Sequence, residues 1–392
     1  MKILITTDLY KPFINGVVTS VDSLVSQLTK KGHSVKIITL ANSHHSYTID
    51  NIIYLGSIDF NKIYPGAKLN ISFMSKELKA VYDWKPDIVH SQCEFSTFHI
   101  AKKIAKKLNI PLIHTYHTIY EDYTHYFSPN AKIGHYMASK FSAHILNQCD
   151  EVIAPTTKVE NLLKSYDVLP EISVIPSGIN LSAFLEPKDE NTINQIKNSL
   201  KIKEGNFIIG FVGRIAKEKN LDELLEIFKN IPEENITLMI VGNGPYKEEL
   251  MEKSKSIDKQ IIFTSMINPS LIHHYYKCFD LFMSCSSSET QGLTYIEALA
   301  SGVPILCKKD SCLDDVLINS VNGWDFEDQA QANALFSKYF KDEENRKKMS
   351  INAQNLAKVK FSSSSFCNRV LELYDSAINI NQTISSLKYM VI

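Results

Sequence analysis

Two carboxylates, Glu289 and Glu297, lie on either side of Gly292 in the stretch SSSETQGLTYIEALASGVPIL, residues 286–306. Leu293 to Ala300 is rich in good helix formers and is closed by Gly302 and Pro304, so a helix is expected to start near Gly292. Glu289 then stands in the loop at the helix start. Glu297 lies little more than one turn inside, at a rise of about 1.5 Å per residue, so both can border one pocket. The amides of Gly292, Leu293 and Thr294 point into that pocket with the positive end of the helix dipole, which suits a diphosphate. Taken alone, the pair reads equally simply as a loop glutamate followed by a solvated helix glutamate.

Three further groups occur at expected strand ends. GRIAKEKN follows the run NFIIGFVG and places Arg214 and Lys219 where two cations could clamp a diphosphate, one as a planar fork and one as a compact charge. Asn15-Gly16-Val17-Val18 follows the first strand, and its glycine would let backbone approach a phosphate or sugar; a tight turn without ligand explains it as well. His114-Thr115-Tyr116-His117-Thr118 ends another strand, where a histidine could bond a sugar hydroxyl or steady developing charge. Each histidine by itself reads as a core residue, and ten of the 12 histidines fall in the first half of the chain.

No D-x-D, Walker A, G-x-S-x-G or H-E-x-x-H motif occurs, so a leaving diphosphate would be neutralised by Arg214, Lys219 and the helix dipole, with no metal and no cofactor. The seven cysteines form no C-x-x-C pair and no zinc spacing, which reads as reduced thiols in a cytoplasmic protein. A net charge of −1 without a long basic block argues against nucleic acid. Residues 1–180 carry 18 Lys/Arg against 15 Asp/Glu, an excess too small to establish attraction to an anionic surface. The start MKILITTDLYKPF reads as a first strand and not as a secretory leader, and no apolar run is long enough to span a bilayer.

These residues need elements to hold them. KILITT, HSVKIITL, DIVHS, IPLIHTYH and DEVIAPT alternate with helical segments such as VDSLVSQLTKKG and FHIAKKIAKKLN, NGVVTS being read as a turn. After EISVIPSGINLSAF the plan repeats with FIIGFVG, ITLMIVGNG, QIIFTS, LFMSCS, PILCKK and NGWDF. The expectation is α/β: two doubly wound, Rossmann-like domains facing a central cleft, with ligands at the carboxyl ends of both sheets. Their bounds are residues 1–180 and 181–365, and 366–392 forms a helical segment assignable to either domain.

Taken together, Gly16, HTYHT, PSGIN, GRIAKEKN, VGNGP, the two glutamates and ALASGVP resemble the retaining glycosyltransferases of family four, over about residues 1–365. More narrowly, GVVTSV, CEFSTFHIAKK, HTYHTIYEDYTHY, RIAKEK and SETQGLTYIEALA look like the diacylglycerol glucosyltransferases of low-GC Gram-positive bacteria and wall-less relatives. Gln291, where many of the wider family have an aromatic residue, suits that branch. The resemblance implies a GT-B fold and a hexosyltransferase moving glucose from UDP-glucose to the 3-hydroxyl of diacylglycerol. It implies Arg214 and Lys219 on the diphosphate, Glu289 on the donor sugar, and Glu297 on the ribose. Gly292, Leu293 and Thr294 would offer amides, His117 would touch the hexose, Gly16 and Val17 would approach the phosphate, and Gly244 would line the donor site. The implied partners are a UDP-sugar, a lipid acceptor and the anionic inner face of the cell membrane, bound peripherally. SPNAKIGHYMASKFSAHILNQ and AKLNISFMSKELKAVYDWK are candidate membrane-facing segments, each also readable as a helix packed on its domain. Another acceptor, a UDP-sugar epimerase and a non-catalytic sugar-nucleotide binder are the rival readings.

Overall fold

The computed structural model describes residues 1–13, 15–59, 68–70, 75–121 and 130–390. The chain divides into two compact units, residues 1–179 with 363–392, and residues 180–362.

In the first unit the described strands are β1 (Lys2–Thr6), β2 (Ser34–Leu40), β3 (Tyr47–Ile49), β4 (Ile52–Leu55), β5 (Ser57–Asp59), β6 (Lys68–Asn70), β7 (Ile88–Ser91), β8 (Leu112–Thr115), β9 (Glu151–Ala154) and β10 (Glu171–Val174). Among the described residues, eight of them form one sheet in the order β10-β9-β8-β7-β1-β2-β4-β3, parallel apart from the β3–β4 pair; β5 and β6 pair separately. Helices α1 (Gly16–Lys30), α2 (Lys76–Trp84), α3 (Ser96–Leu108), α4 (Ala131–Leu146) and α5 (Thr157–Ser165) connect the strands. NGVVTS is no separate turn: the side chain of Asn15 accepts from the Val18 amide at 2.9 Å, and this cap starts α1 at Gly16. At its other end Lys31 caps α1, and Gly32 follows at φ +84°, the left-handed geometry a glycine tolerates without strain.

Because the central strands β1, β7, β8 and β9 are buried on both faces, they are rich in continuous apolar residues. Leu4, Val89, Leu112 and Val152 face a layer containing Phe98, Ile104 and Leu146. On the other face Ile3, Ile5, Ile88, Ile113 and Ile153 pack with Val21 and Leu24 of α1. The terminal helix, Ser363–Met390, joins this second layer through Phe366, Val370, Leu373 and Tyr374.

The two candidate membrane segments divide. In α4, Ala143, Ile145 and Leu146 are buried, whereas Ile133, Tyr136 and Met137 are 54%, 64% and 52% exposed. In α2, Leu78 and Val81 are buried and Trp84 packs on the core with the Lys36 ammonium 4.9 Å above its ring, which favours a helix covering its sheet. Phe73 and Met74 lie outside the described residues, as do Ser128 and Pro129 at the start of the other segment. No helix among the described residues is long and apolar enough to cross a membrane.

The second unit repeats the plan. Its parallel sheet, in the order β13-β12-β11-β14-β15-β16, contains β11 (Phe207–Val212), β12 (Ile236–Val241), β13 (Gln260–Phe263), β14 (Leu281–Ser284), β15 (Ile305–Lys308) and β16 (Gly323–Phe326). Around it lie α6 (Ser182–Leu185), α7 (Glu190–Ser199), α8 (Leu221–Asn230), α9 (Lys247–Ser254), α10 (Ile272–Lys277), α11 (Leu293–Ala300), α12 (Gln329–Lys341) and α13 (Glu343–Lys360). The sheet order reverses direction between β11 and β14, the arrangement that leaves a crevice at the carboxyl ends of these strands.

Candidate active site

In the second unit, β14 runs into the buried Cys285 and Ser286, and the chain crosses residues 287–291 before α11 begins. Gly292 is the N-cap at φ +69° and ψ 65°. A side chain there would meet the Tyr295 ring at 2.4 Å, so both conformation and space demand glycine. The amides of Leu293 and Thr294 open the helix, where no carbonyl of the preceding turn can receive them.

Lys219 and Glu289 are brought into direct contact, Nζ to Oε1 at 2.5 Å, with side chains 16% and 19% exposed. Ser286 Oγ donates to the same carboxylate oxygen at 3.1 Å. Lys219 ends the short 3-10 turn Lys217–Lys219, which Asn220 closes in the left-handed region at φ 50°. The Asn220 Nδ2 then donates to the Cys285 carbonyl at 3.4 Å, tying this turn to the end of β14. Arg214 is not part of the pair: its nearest carboxylate is Glu218, 3.8 Å away, and its side chain is 39% exposed.

Glu297 is half-buried on α11, and Tyr276 on α10 donates to its Oε2 at 2.7 Å. Loss of solvent raises the Glu297 carboxyl from 4.5 to about 7, although the tyrosine hydroxyl favours the charged form. Gly244 has a packing role. A Cβ at Gly244 would fall 2.2 Å from the Ile215 carbonyl oxygen, and one at Gly242 would fall 2.0 Å from that of Gly213. The two loops lie back to back, joined by Ile215 N–H to Asn243 O and Tyr246 N–H to Ile215 O, each 3.0 Å. The VGNGP loop therefore buttresses the backbone on either side of Arg214.

In the first unit, Gly16 and Val17 are the first residues of α1. His117 lies just beyond β8, half-buried, with its Nε2 2.8 Å from Gln92 Oε1. Desolvation lowers its pKa to about 4, the nearby Glu94 charge opposing the shift, so the ring is neutral near pH 7. Around it is a polar cluster of which sequence reasoning weighed His114 but did not select Glu94, Tyr120, His90 or Asp8. Glu94 accepts from His114 Nε2 at 3.2 Å and from Tyr120 Oη at 2.5 Å. His90 lies between Thr115 Oγ1 at 2.7 Å and Tyr374 Oη at 2.6 Å, and burial holds it well below the ordinary histidine range. Asp8 accepts the Thr97 amide at 2.8 Å, capping α3 from the end of β1, and desolvation raises its carboxyl to about 6. Position after a strand was the available signal for Asp8, Gln92 and Glu94. Nothing local marks Tyr276 or Tyr374.

The second-unit site offers an ammonium, a guanidinium and helix amides to a diphosphate, and a carboxylate on α11 to a diol. The first-unit cluster offers neutral donors and acceptors suited to a hydroxylated ring. Among the described residues, no group of three or more His, Cys, Asp or Glu side chains is arranged to hold a metal ion.

Both parts of the chain resemble known proteins. Residues 14–183 match the model for Glycosyltransferase Family 4 and residues 192–356 that for Glycosyl transferases group 1. The alpha-monoglucosyldiacylglycerol synthase of Streptococcus pneumoniae is 37% identical over 330 residues, 82% of this chain and 74% of the relative. The enzyme of that name from Acholeplasma laidlawii is 34% identical over 339 residues, 82% of this chain and 84% of the relative. Anabaena HepE, solved in complex with UDP and glucose, superposes with a TM-score of 0.76 at 16% identity, covering 96% of this chain and all (100%) of that one. WaaG, a glycosyltransferase involved in lipopolysaccharide biosynthesis, gives a TM-score of 0.68 at 18% identity over 96% of this chain and 99% of that one. At these identities the structural likenesses establish the fold, GT-B with two Rossmann-like domains.

Proposed function

The chain belongs to glycosyltransferase family 4, and on that premise we propose that it moves glucose from UDP-glucose to the 3-hydroxyl of 1,2-diacylglycerol, giving α-monoglucosyldiacylglycerol. The enzyme is a hexosyltransferase of the retaining class. The bond from the anomeric carbon to the UDP oxygen breaks, and the acceptor oxygen bonds to that carbon on the same face. The acceptor proton passes to the departing phosphate oxygen, leaving UDP and a neutral glycolipid.

Each residue has a share in that step. Lys219 and Arg214 face the charge that grows on the diphosphate, with the first amides of α11, including those of Gly292, Leu293 and Thr294, as preorganised donors. Glu289, already fixed by Lys219 and Ser286, receives hydroxyls of the glucose. Glu297 receives those of the ribose, and Tyr276 leaves its second oxygen available for them. His117 meets the hexose from the first unit, and Gly16 and Val17 approach the phosphate through backbone at the start of α1. Gly244 supports this site from behind. Charge neutralisation by these groups makes a divalent ion unnecessary in our reading, and turnover in excess chelator tests that point.

The observation that carries the reading is the Lys219–Glu289 contact in front of α11, in a chain related over most of its length to two synthases of this glycolipid. The localisation proposed is peripheral, at the cytoplasmic face of the membrane. Ile133, Tyr136 and Met137 on α4, with Lys132 and Lys140 on the same helix, support it: apolar side chains enter the interface while ammonium groups meet anionic headgroups. Purified protein incubated with UDP-glucose, UDP-galactose or UDP-N-acetylglucosamine, each with and without diacylglycerol in anionic vesicles, tests the proposal. Glucolipid is expected from the first donor, dependent on diacylglycerol. A nucleotide sugar altered without acceptor, or no turnover with any donor, would overturn it.

A further inference from the structure

The neutral cluster of the first unit contains one contact whose direction matters for the sugar. We propose that Gln92 is a positioning residue that holds the Nε2–H of His117, so that Nδ1 is presented as a bare acceptor for a hydroxyl of the transferred hexose. The hexose enters this statement through the function proposed above; the state of the ring does not depend on it.

Three observations converge. Gln92 directly follows β7 and His117 lies two residues beyond β8, neighbouring parallel strands, and the Gln92 amide is fixed to the Thr6 carbonyl at 2.8 Å. Both residues stand in the short segments that leave these strands, and that backbone bond anchors the glutamine beside the sheet. Gln92 is 3% exposed, and among the described residues its Oε1 meets His117 while its Nε2 has no hydrogen-bond partner. A side-chain carbonyl oxygen only accepts, so the proton shared in this contact sits on the ring nitrogen. The third observation is the charge around the ring. Glu94 beyond β7, His114 on β8 and His90 on β7 are the titratable groups that bear on it, and the desolvation of the site prevails over the single carboxylate.

A neutral imidazole carries one N–H and one lone pair. Given to the Gln92 oxygen, the proton leaves the other nitrogen able to accept and unable to donate. The ring then recognises a hydroxyl that gives its hydrogen. A hexose lacking that hydroxyl leaves Nδ1 unpaired in a desolvated place, a form of discrimination that outweighs simple shape fit.

Nitrogen NMR of the full-length protein with ring-labelled histidine reads the tautomer directly, His117→Gln serving to assign the signal. The neutral Nε2–H form is expected in the wild type. Gln92→Met, which keeps length and loses the acceptor, is expected to give a mixture of tautomers and to lower kcat/KM about tenfold, roughly the loss of one neutral hydrogen bond in the transition state. UDP affinity, read by calorimetry, should be unchanged. Gln92→Glu should retain the Nε2–H form and move the acidic limb of kcat/KM to higher pH, because an added carboxylate favours the imidazolium. An Nδ1–H ring in the wild type overturns the proposal, as does a Gln92→Met protein that keeps both a single tautomer and the full rate. Should Gln92→Met not fold, the wild-type spectrum and the Gln92→Glu profile decide. A wild type that transfers no glucose defeats the proposed function, while the spectrum still decides the ring.

Discussion

The two candidate half-sites use opposite chemistry. In the second unit a lysine and a glutamate stand 2.5 Å apart with an arginine and helix amides on neighbouring loops. In the first unit histidines, a glutamine and two tyrosines gather near the carboxylates of Glu94 and Asp8, and no lysine or arginine appears among their described hydrogen-bond partners. A diphosphate must be met by charge, and charged groups can remain partly hydrated until it arrives. A sugar ring offers hydroxyls, which are told apart by fixed donors and acceptors kept from water. The contrast is one of ligand polarity: an ammonium paired with a carboxylate on one side, imidazoles and a side-chain amide beside a buried carboxylate on the other.

The largest expected effect falls on the charged side. Lys219→Ala should lower kcat/KM for UDP-glucose on the order of 10²–10³-fold, the usual result of removing one preorganised contact to a leaving charge, with an unchanged circular dichroism spectrum. A loss of less than tenfold would mean that the pair with Glu289 is merely structural. Next comes the support behind that site. Gly242 sits at φ +144° with the Gly213 carbonyl where a Cβ would lie, so Gly242→Ala should destabilise the protein by about 2–3 kcal/mol in denaturant titration. An unchanged midpoint would remove the case for a rigid buttress.

The membrane reading is sharpened by Tyr136→Ser combined with Met137→Ser. Vesicle partition should fall about tenfold or more, given roughly 1.5–3 kcal/mol for burying one such side chain, with UDP affinity untouched. Equal partition would assign these residues to another partner. The smallest effect is a shift of titration. The Glu297 carboxyl is raised to about 7, so the native state binds more protons than the unfolded chain between 4.5 and that value. Its contribution to stability is therefore fully present below pH 4.5 and is lost as pH rises through 7. UDP binding has the opposite need, since a carboxylate accepts from the ribose better than an acid. Affinity should fall as pH drops through 7, and Tyr276→Phe should move that midpoint upward by removing the hydroxyl that favours the charge. Calorimetry across pH checks both; a midpoint that stays in place would separate Tyr276 from the site.

Much of this architecture was legible where chemistry is local. LTYIEALA ended by Gly302 and Pro304 fixes α11, and the apolar runs separated by helical segments specify two doubly wound sheets. The loop positions of Arg214 and Glu289 were legible for the same reason. NGVVTS was misread because a cap and a turn use the same asparagine and glycine, and only the Asn15 contact to the Val18 amide distinguishes them. The first-unit cluster was mostly hidden, since its partners come from distant places: His90 meets Tyr374 across 284 residues. In the second unit Tyr276, the partner of Glu297, belongs to a helix of six residues with little pattern to detect. Half of α4 was also ambiguous, because apolar residues facing water and apolar residues facing a core spell the same sequence until their neighbours are known.

Placement of the last helix with the first unit has a consequence for how the polypeptide is made. Val370 and Tyr374 complete a layer begun by Ile3 and Ile5, and residues 180–362 emerge from the ribosome between them. The middle of the chain is contiguous and can close its own interior during synthesis. The beginning can lay α1 on that face early, but the part covered by Phe366, Val370 and Tyr374 stays open until the final helix arrives.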